Sequence, residues 1–176
     1  MKAATMLFYR DGIAVTGVDR IAAEAGVGKM SLYRHFDGKD DLVVEVLRER
    51  VVEHLDWLLP MTPPGEAQVL AVFDRIAGAA RKPGFRGCPF VRAALELPVG
   101  HPGRTVVLDY RRQLAERADY HLQAAGLVDR AGTVGRLVML IDGAVTACAV
   151  QRSARPARQA RDLAEVAFTM TRQQER

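Results

Sequence analysis

The stretch Thr16 to Lys39, TGVDRIAAEAGVGKMSLYRHFDGK, constrains this chain more than any other. It holds two short helical patterns separated by a glycine turn. The first carries Ile21, Ala22 and Ala25 on one side. The second carries Leu32 and Phe36 on one side and polar residues on the other. Gly26 permits the left-handed backbone or close approach that a tight corner between helices needs. Two helices too short to stand alone must therefore pack on each other, and the second keeps a free face.

The remaining sequence reads as helix throughout. No sustained apolar/polar alternation appears, and no hairpin turn lies between β-branched runs. The spacing predicts a first helix over Ala3–Arg10, ended near Asp11-Gly12. Thr16 and Asp19 form a capping-box-like pair that starts the second helix, which stops at Gly26. The third runs from about Gly28 to Phe36. Asp37 caps a long fourth, in which Leu42, Val43, Val46, Leu47, Val51, Leu55 and Leu58 recur at helical spacing. Pro60 to Gly65 reads as a linker. Further helices follow to about Arg81, over Cys88–Leu97, from Pro102 to about Ala125, from an Asp129 cap to about Arg152, and from Pro156 to about Gln173. The expectation is an all-α chain of about nine helices. A three-helix head over 1–45 precedes a larger helical body over 46–176.

Charge qualifies this reading. The chain of 176 residues carries a net +4, which favours an acidic partner. Yet residues 1–50 balance acids against bases, and the basic excess lies further on, partly over Arg152–Arg161. The placement of the charges, not their sum, marks the amino end. Cys88 and Cys148 form no CxxC pattern and suit a reducing compartment. No signal segment opens the chain. The apolar run Leu137–Val150 is interrupted by Asp142 and is shorter than the roughly 20 residues a membrane helix needs. A soluble cytoplasmic protein with no membrane role is expected. His35, His54, His101 and His121 fit no metal-ligand spacing. With no phosphate-binding loop or dinucleotide turn either, no enzyme, metal or cofactor is implied.

Stepping along the third helix at about 100° per residue separates its faces. Met30, Ser31 and Arg34 lie opposite Leu32 and Phe36. Lys29 and Tyr33 occupy one flank and His35 the other. A helix lodged in a DNA groove needs this arrangement, with base edges met in front and phosphates at the flanks. The guanidinium of Arg34 suits O6 and N7 of guanine, Ser31 can donate or accept, and Met30 suits a thymine methyl. Lys29 is placed for a phosphate at the helix start. Thr16 and Lys39 flank the unit as further phosphate contacts.

Thr16-Val18-Ile21-Ala22-Ala25-Gly26-Val27, then Lys29, Leu32-Tyr33-Arg34-His35-Phe36 and Gly38-Lys39-Leu42, closely resemble the DNA-binding signature of the TetR family of bacterial transcriptional regulators. The resemblance implies that Thr16, Lys29, Tyr33, His35 and Lys39 contact the DNA backbone. It places Gly28, Met30, Ser31 and Arg34 nearer the bases. Gly28 stands where serine is frequent, which removes a possible hydroxyl contact. The chain also opens almost inside the first helix, without the basic arm many members carry. Further on, Gly84-Phe-Arg-Gly-Cys-Pro-Phe90 with His101-Pro102 resembles one group of the family's regulatory domains.

The resemblance implies a helix-turn-helix DNA-binding domain over 1–45 and a helical effector-binding and dimerisation domain over 46–176, in a ligand-responsive regulator acting as a repressor released from a palindromic operator by a small molecule. One short helix reads too few base pairs alone, so a homodimer is expected. Its interface is expected on the last two long helices, with Val134, Leu137, Leu140, Gly143, Ala144, Ala147 and Cys148. The effector residues are expected among Trp57, Phe73, Phe90, Leu95, Leu108, Tyr110, Met139 and Asp142. Asp142 interrupts an apolar run and needs a partner, either a ligand, an arginine of its own chain or the other subunit. Two rival readings stand beside this one: a DNA-binding regulator that is constitutive or controlled by a protein, and a helical small-molecule carrier.

Overall fold

The computed structural model describes residues 1–127 and 130–174, with side chains through Thr171, and every regular element in it is helical. The order is α1 (Lys2–Asp11), α2 (Val18–Ala25), α3 (Lys29–Tyr33), α4 (Lys39–Leu58), α5 (Glu66–Ala80), α6 (Pro89–Glu96), α7 (Pro102–Ala124), α8 (Arg130–Gln151) and α9 (Arg155–Gln174). The expected all-α class and helix order are observed. Asp129, the expected cap of the eighth helix, lies outside the described residues.

Local chemistry sets the boundaries, not always through the residues expected. The N-cap of α2 is Gly17, and no side chain caps it. Thr16 is turned inward, and its hydroxyl donates to the Gly12 carbonyl at 2.6 Å. Asp19 instead pairs with Lys29 at 2.7 Å. At α4 the expected Asp37 cap is replaced by its mirror image: the Asp41 carboxylate accepts the Asp37 N–H at 3.2 Å. An acceptor in the first helical turn that reaches back satisfies an orphan donor as well as a cap would. Gly26 behaves as expected. It ends α2 at φ +67°, with the Val27 N–H reaching back to Ala22 O at 3.0 Å, the six-to-one bond of a left-handed helix stop.

The chain forms two compact units that interleave along the sequence. The first comprises Met1–Val52 and Pro89–Tyr110; the second comprises Glu53–Cys88 and Arg111–Arg176. These units cut the chain differently from the expected 1–45 and 46–176 division. The physical reason is that α6 and the start of α7 pack with the first four helices. Leu7, Phe8, Ile21, Leu42, Val43 and Phe90 form the core of the first unit. In the second, α5, α8 and α9 pack on one another around Phe73, Ile76, Leu137, Ile141 and Phe168. Each such side chain contributes about 1.5–3 kcal/mol by leaving water. Small buried residues on the facing helices, Ala144, Cys148, Ala157, Ala160 and Ala164, permit close approach.

Helix α8 corrects one expectation. It has 22 residues with a mean hydropathy of 1.6 over its most apolar window, long and apolar enough to cross a membrane by length and composition. Here it packs against α5 and α9. Asp142 within it is ion-paired to Arg111 at 2.6 Å, so the partner required by that carboxylate is an arginine of its own chain.

The second unit also contains a wholly buried histidine. His121 Nδ1 accepts the Gly65 N–H at 3.1 Å, and Nε2 lies 2.9 Å from the Pro60 carbonyl. The ring is neutral, with Nε2–H donating, and it closes the Pro60–Gly65 linker. Burial holds its pKa below the usual value; Arg117 and Arg75 push the same way, and the Pro60 bond opposes them.

Candidate nucleic-acid interface

Helix α2 is the platform for the site. Ile21 and Ala22 are buried, whereas Ala25 is exposed, so the packed side of α2 is narrower than its spacing predicts. Helix α3 is also shorter than expected, five residues long. Its helical turn nonetheless continues through Phe36, whose N–H bonds Leu32 O at 3.0 Å. Leu32 and Phe36 are half-buried, as their shared side predicts.

The opposite side is open. Met30 is 76% exposed and Tyr33 45%, and Lys29, Arg34 and His35 are exposed with them. Arg34 Nη2 donates to Ser31 Oγ at 3.3 Å, which pre-orients the guanidinium along the helix. The Asp19 carboxylate raises the Lys29 pKa, by hydrogen bonding first and charge second, so Lys29 is a firm cation. Gly28 begins α3 in an extended conformation with φ −70°, and a Cβ there would meet nothing within 4 Å. Space and backbone would therefore both accept a serine.

Two expected flank residues have structural duties. Lys39 is half-buried, and its Nζ donates to the Ala14 carbonyl at 3.1 Å. Thr16 is the clear correction: it is fully buried, and its hydroxyl is committed to Gly12. Its side chain shapes the turn before α2 and is withheld from a phosphate.

Local sequence patterns did not point to the residues that brace this head. Glu96 on α6 accepts the N–H groups of Ile13 at 2.5 Å and Ala14 at 3.1 Å. Arg92, one turn earlier, donates to the Tyr9 carbonyl and lies 3.7 Å from Glu96. His101 Nε2 meets Asp40 at 3.3 Å at the start of α4, while its Nδ1 accepts the Gly103 N–H at 2.9 Å. The available signal was the Arg92/Glu96 spacing of four, which reads as an ordinary surface pair.

The expected effector residues divide between the two units and differ in exposure. Phe90 and Tyr110, in the first unit, are buried and stack on each other with centroids 3.9 Å apart. Leu95 and Leu108, of the same unit, are exposed at 82% and 67%. In the second unit Phe73 is buried, Asp142 is paired to Arg111, and Trp57 is partly exposed beside His54. Met139 is 67% exposed. It lines an open groove of about 570 Å³ between α8 and α9, with Leu140, Gly143 and Ala147. Among the residues expected at a dimer interface, Leu140, Gly143 and Ala147 thus line an open surface. Leu137 and Cys148 are turned into the core, Ala144 is buried at the groove's edge, and Val134 is half-buried.

Two short helices joined at a left-handed glycine, the second presenting a mixed cationic and polar face, define a helix-turn-helix protein. Residues 1–46 match the family described as bacterial regulatory proteins, tetR family. SCO4454, a TetR-family transcriptional regulator from Streptomyces coelicolor, is 33% identical, with a TM-score of 0.87 over 97% of this chain and 92% of that one. A putative TetR transcriptional regulator from Streptomyces avermitilis is 28% identical, with a TM-score of 0.80 over 93% and 94%. The HTH-type transcriptional repressor KstR2 of Mycolicibacterium smegmatis is 41% identical over 58 residues, which is 33% of this chain and 26% of that repressor. The chain belongs to the TetR family of transcriptional regulators.

Proposed function

We propose that this protein is a cytoplasmic repressor that binds a palindromic operator as a homodimer and leaves it when a small molecule binds. Residues 1–45 read DNA and residues 46–176 sense and dimerise. The observation that carries the reading is the open face of α3, where Met30, Tyr33, Arg34 and His35 project from a helix anchored by Leu32 and Phe36. Arg34, Ser31, Met30 and Gly28 face base edges, and Lys29, Tyr33, His35 and Lys39 face the backbone.

The dimer surface is the α8–α9 groove. Met139, Leu163, Val166 and Met170 leave more than half of their surface exposed there and on the flanking turns of α9. Exposed apolar side chains in contiguous turns mark an association surface. Two heads held at a fixed separation read two half-sites, and a ligand that favours a different separation releases them.

The test is selection of bound duplexes from random DNA by the purified protein, with and without a metabolite library. Enrichment of a two-fold symmetric sequence, with binding that weakens steeply as salt rises, is the expected result. Trp57, the one tryptophan, is 40% exposed and serves as the fluorescent reporter for effector titration. Failure to enrich any sequence, at modest ionic strength, would remove the reading.

A further inference from the structure

Among the described residues, Arg152 is the one residue other than glycine with a left-handed backbone, at φ +49°. It directly follows α8, and the Ser153 N–H reaches back to Cys148 O at 3.3 Å. The same six-to-one bond closes the chain at Gly26 after α2 and at Gly126 after α7, where φ is +67° and +78°. A Cβ is unfavourable in that conformation, so an arginine in the glycine position is strained. Strain of this kind persists where a side chain has a task.

What this side chain adds is charge, and it is not alone. Arg155 and Arg158 follow in the first turn of α9. All three are exposed, and none makes an ion pair among the described residues. No Asp or Glu lies between Asp142 and Asp162, nor between Asp74 and Glu96. Packing within the second unit joins these two acid-free stretches. Arg161 pairs with Asp74 at 3.4 Å, which sets α9 against α5. A Cβ on Gly87 would lie 3.5 Å from that of Ala149, near the end of α8. The chain from Asp74 to Gly87 therefore runs toward the α8–α9 turn, and it carries Arg81, Lys82 and Arg86, all exposed. One end of the second unit thus gathers six basic side chains. None of them lines the α8–α9 groove, so the proposed dimer surface does not claim them.

We infer that this end of the second unit binds the phosphate backbone of duplex DNA, as a surface additional to α3. Duplex DNA carries one negative charge about every 1.7 Å along its axis. Several arginines side by side suit such a polyanion, because each guanidinium can hold a phosphate through two parallel N–H bonds. A single small anion would engage one of them and leave the rest repelling one another. Residues 1–50 balance acids against bases, so the head supplies readout and little net attraction. The basic end supplies the attraction. The inference rests on the reading of the protein as a DNA-binding regulator.

The experiment measures binding of the full chain to a labelled random-sequence duplex of about 40 base pairs, by fluorescence anisotropy over a range of salt concentrations. Arg155→Gln with Arg158→Gln should lower the slope of log affinity against log salt by about two per bound chain, and weaken binding about 50-fold at about 0.1 M salt. Both residues are exposed, so the variant should fold. Arg112→Gln with Arg130→Gln removes the same charge from α7 and the start of α8 and should leave the slope nearly unchanged. Arg152→Gly should raise the thermal midpoint by about 2 °C yet lower the slope by about one. An equal loss in the Arg112/Arg130 control, or a lower midpoint for Arg152→Gly, overturns the inference. Wild-type protein that binds no duplex would overturn the DNA reading and this surface together. Binding kept in full by the Arg155/Arg158 variant would overturn the surface alone.

Discussion

Glu96 holds Ile13. The carboxylate on α6 accepts that backbone N–H at 2.5 Å across 83 residues of chain. It takes the next amide, Ala14, at 3.1 Å, and the Ala14 carbonyl in turn receives Lys39. One acidic side chain therefore fixes the turn between α1 and α2, on which the position of the reading helix depends. Replacing it with alanine leaves two amides without their acceptor. Charge-assisted bonds contribute about 1.5–3 kcal/mol each, and the loss is shared with water where the turn is open. Glu96→Ala should cost about 2–3 kcal/mol by urea unfolding, and Glu96→Gln, which keeps one acceptor oxygen, clearly less.

Gly12 supplies a second test of the same clasp. Its φ is +104°, and a Cβ there would come within 2.9 Å of Glu96 Oε2. Both strain and contact oppose a side chain. Gly12→Ala should destabilise by about 1–3 kcal/mol. The double variant Gly12→Ala with Glu96→Ala should be less destabilised than the two separate losses added together, because the close contact disappears.

How much of this was legible in the sequence depends on range. The helices, the Gly26 stop and the α3 face follow from residues within a few positions of one another, where periodicity and backbone preference act directly. A threonine before a helix normally caps it, but Thr16 does not cap α2 and bonds Gly12 instead. Its burial is set by the Gly12 turn, whose conformation depends on Glu96. The Arg92/Glu96 clasp, the Asp142–Arg111 pair and the His121 closure of the linker join residues 31 to 83 positions apart. Spacing carries no information at that distance. Met139 is expected among the effector residues, yet its exposure of 67% is set by the packing of α8 on α5 and α9, which decides which side of an apolar helix faces out.

The proposed reading face makes two kinds of DNA contact separable by mutation. Arg34→Ala should relax preference at one base position, with discrimination falling by about 1–3 kcal/mol, roughly 5- to 150-fold. Lys39→Ala should weaken all sequences alike and lower the salt dependence. Because Lys39 also braces Ala14, its affinity loss should be compared with its thermal midpoint. Competition binding against a panel of single-base variants distinguishes the two patterns.

Gly28→Ser should be tolerated. The extended backbone at this position is that of an ordinary helix cap, and no atom obstructs a Cβ. A serine hydroxyl can accept one of the free N–H groups at the start of α3, which favours it over glycine by a few tenths of a kcal/mol. The expected result is unchanged or slightly raised stability by chemical denaturation. Tighter operator binding would show that the hydroxyl also reaches DNA.

Acid should loosen the second compact unit through His121. Its folded-state pKa lies below the ordinary 6.5 because the ring is buried, and protonation would set a new N–H against the Gly65 N–H. As pH falls below about 6.5 the unfolded chain takes up this proton before the folded one does. Stability therefore decreases with falling pH until the folded-state pKa is reached, at up to about 1.4 kcal/mol per pH unit for this one proton. Above 6.5 this contribution is fully present. Urea unfolding at pH 7.5 and 5.5 reads the difference, and His121→Asn should lose that component of the slope. The Asn carbonyl can still accept from Gly65, so the variant should fold. A wild-type slope identical to that of the variant would mean that the ring does not resist protonation.

The proposed dimer surface makes the last prediction. Leu163 on α9 and Met139 on α8 are 57% and 67% exposed, and both line the groove around Gly143. A carboxylate at either position removes little from the core of a single chain but must be desolvated when two chains close on each other. Leu163→Asp with Met139→Asp should therefore leave helical content unchanged and shift sedimentation at micromolar concentration from dimer to monomer. Operator affinity should fall with it, because two heads no longer arrive together, while weak non-specific binding persists. Gly143→Leu offers a complementary test, since no neighbour lies within 4 Å of its would-be Cβ in the single chain. It should fold as a monomer yet dimerise poorly, if small residues at the groove are what let the two copies approach. A wild-type protein that sediments as a monomer at tens of micromolar would remove this face from the interface.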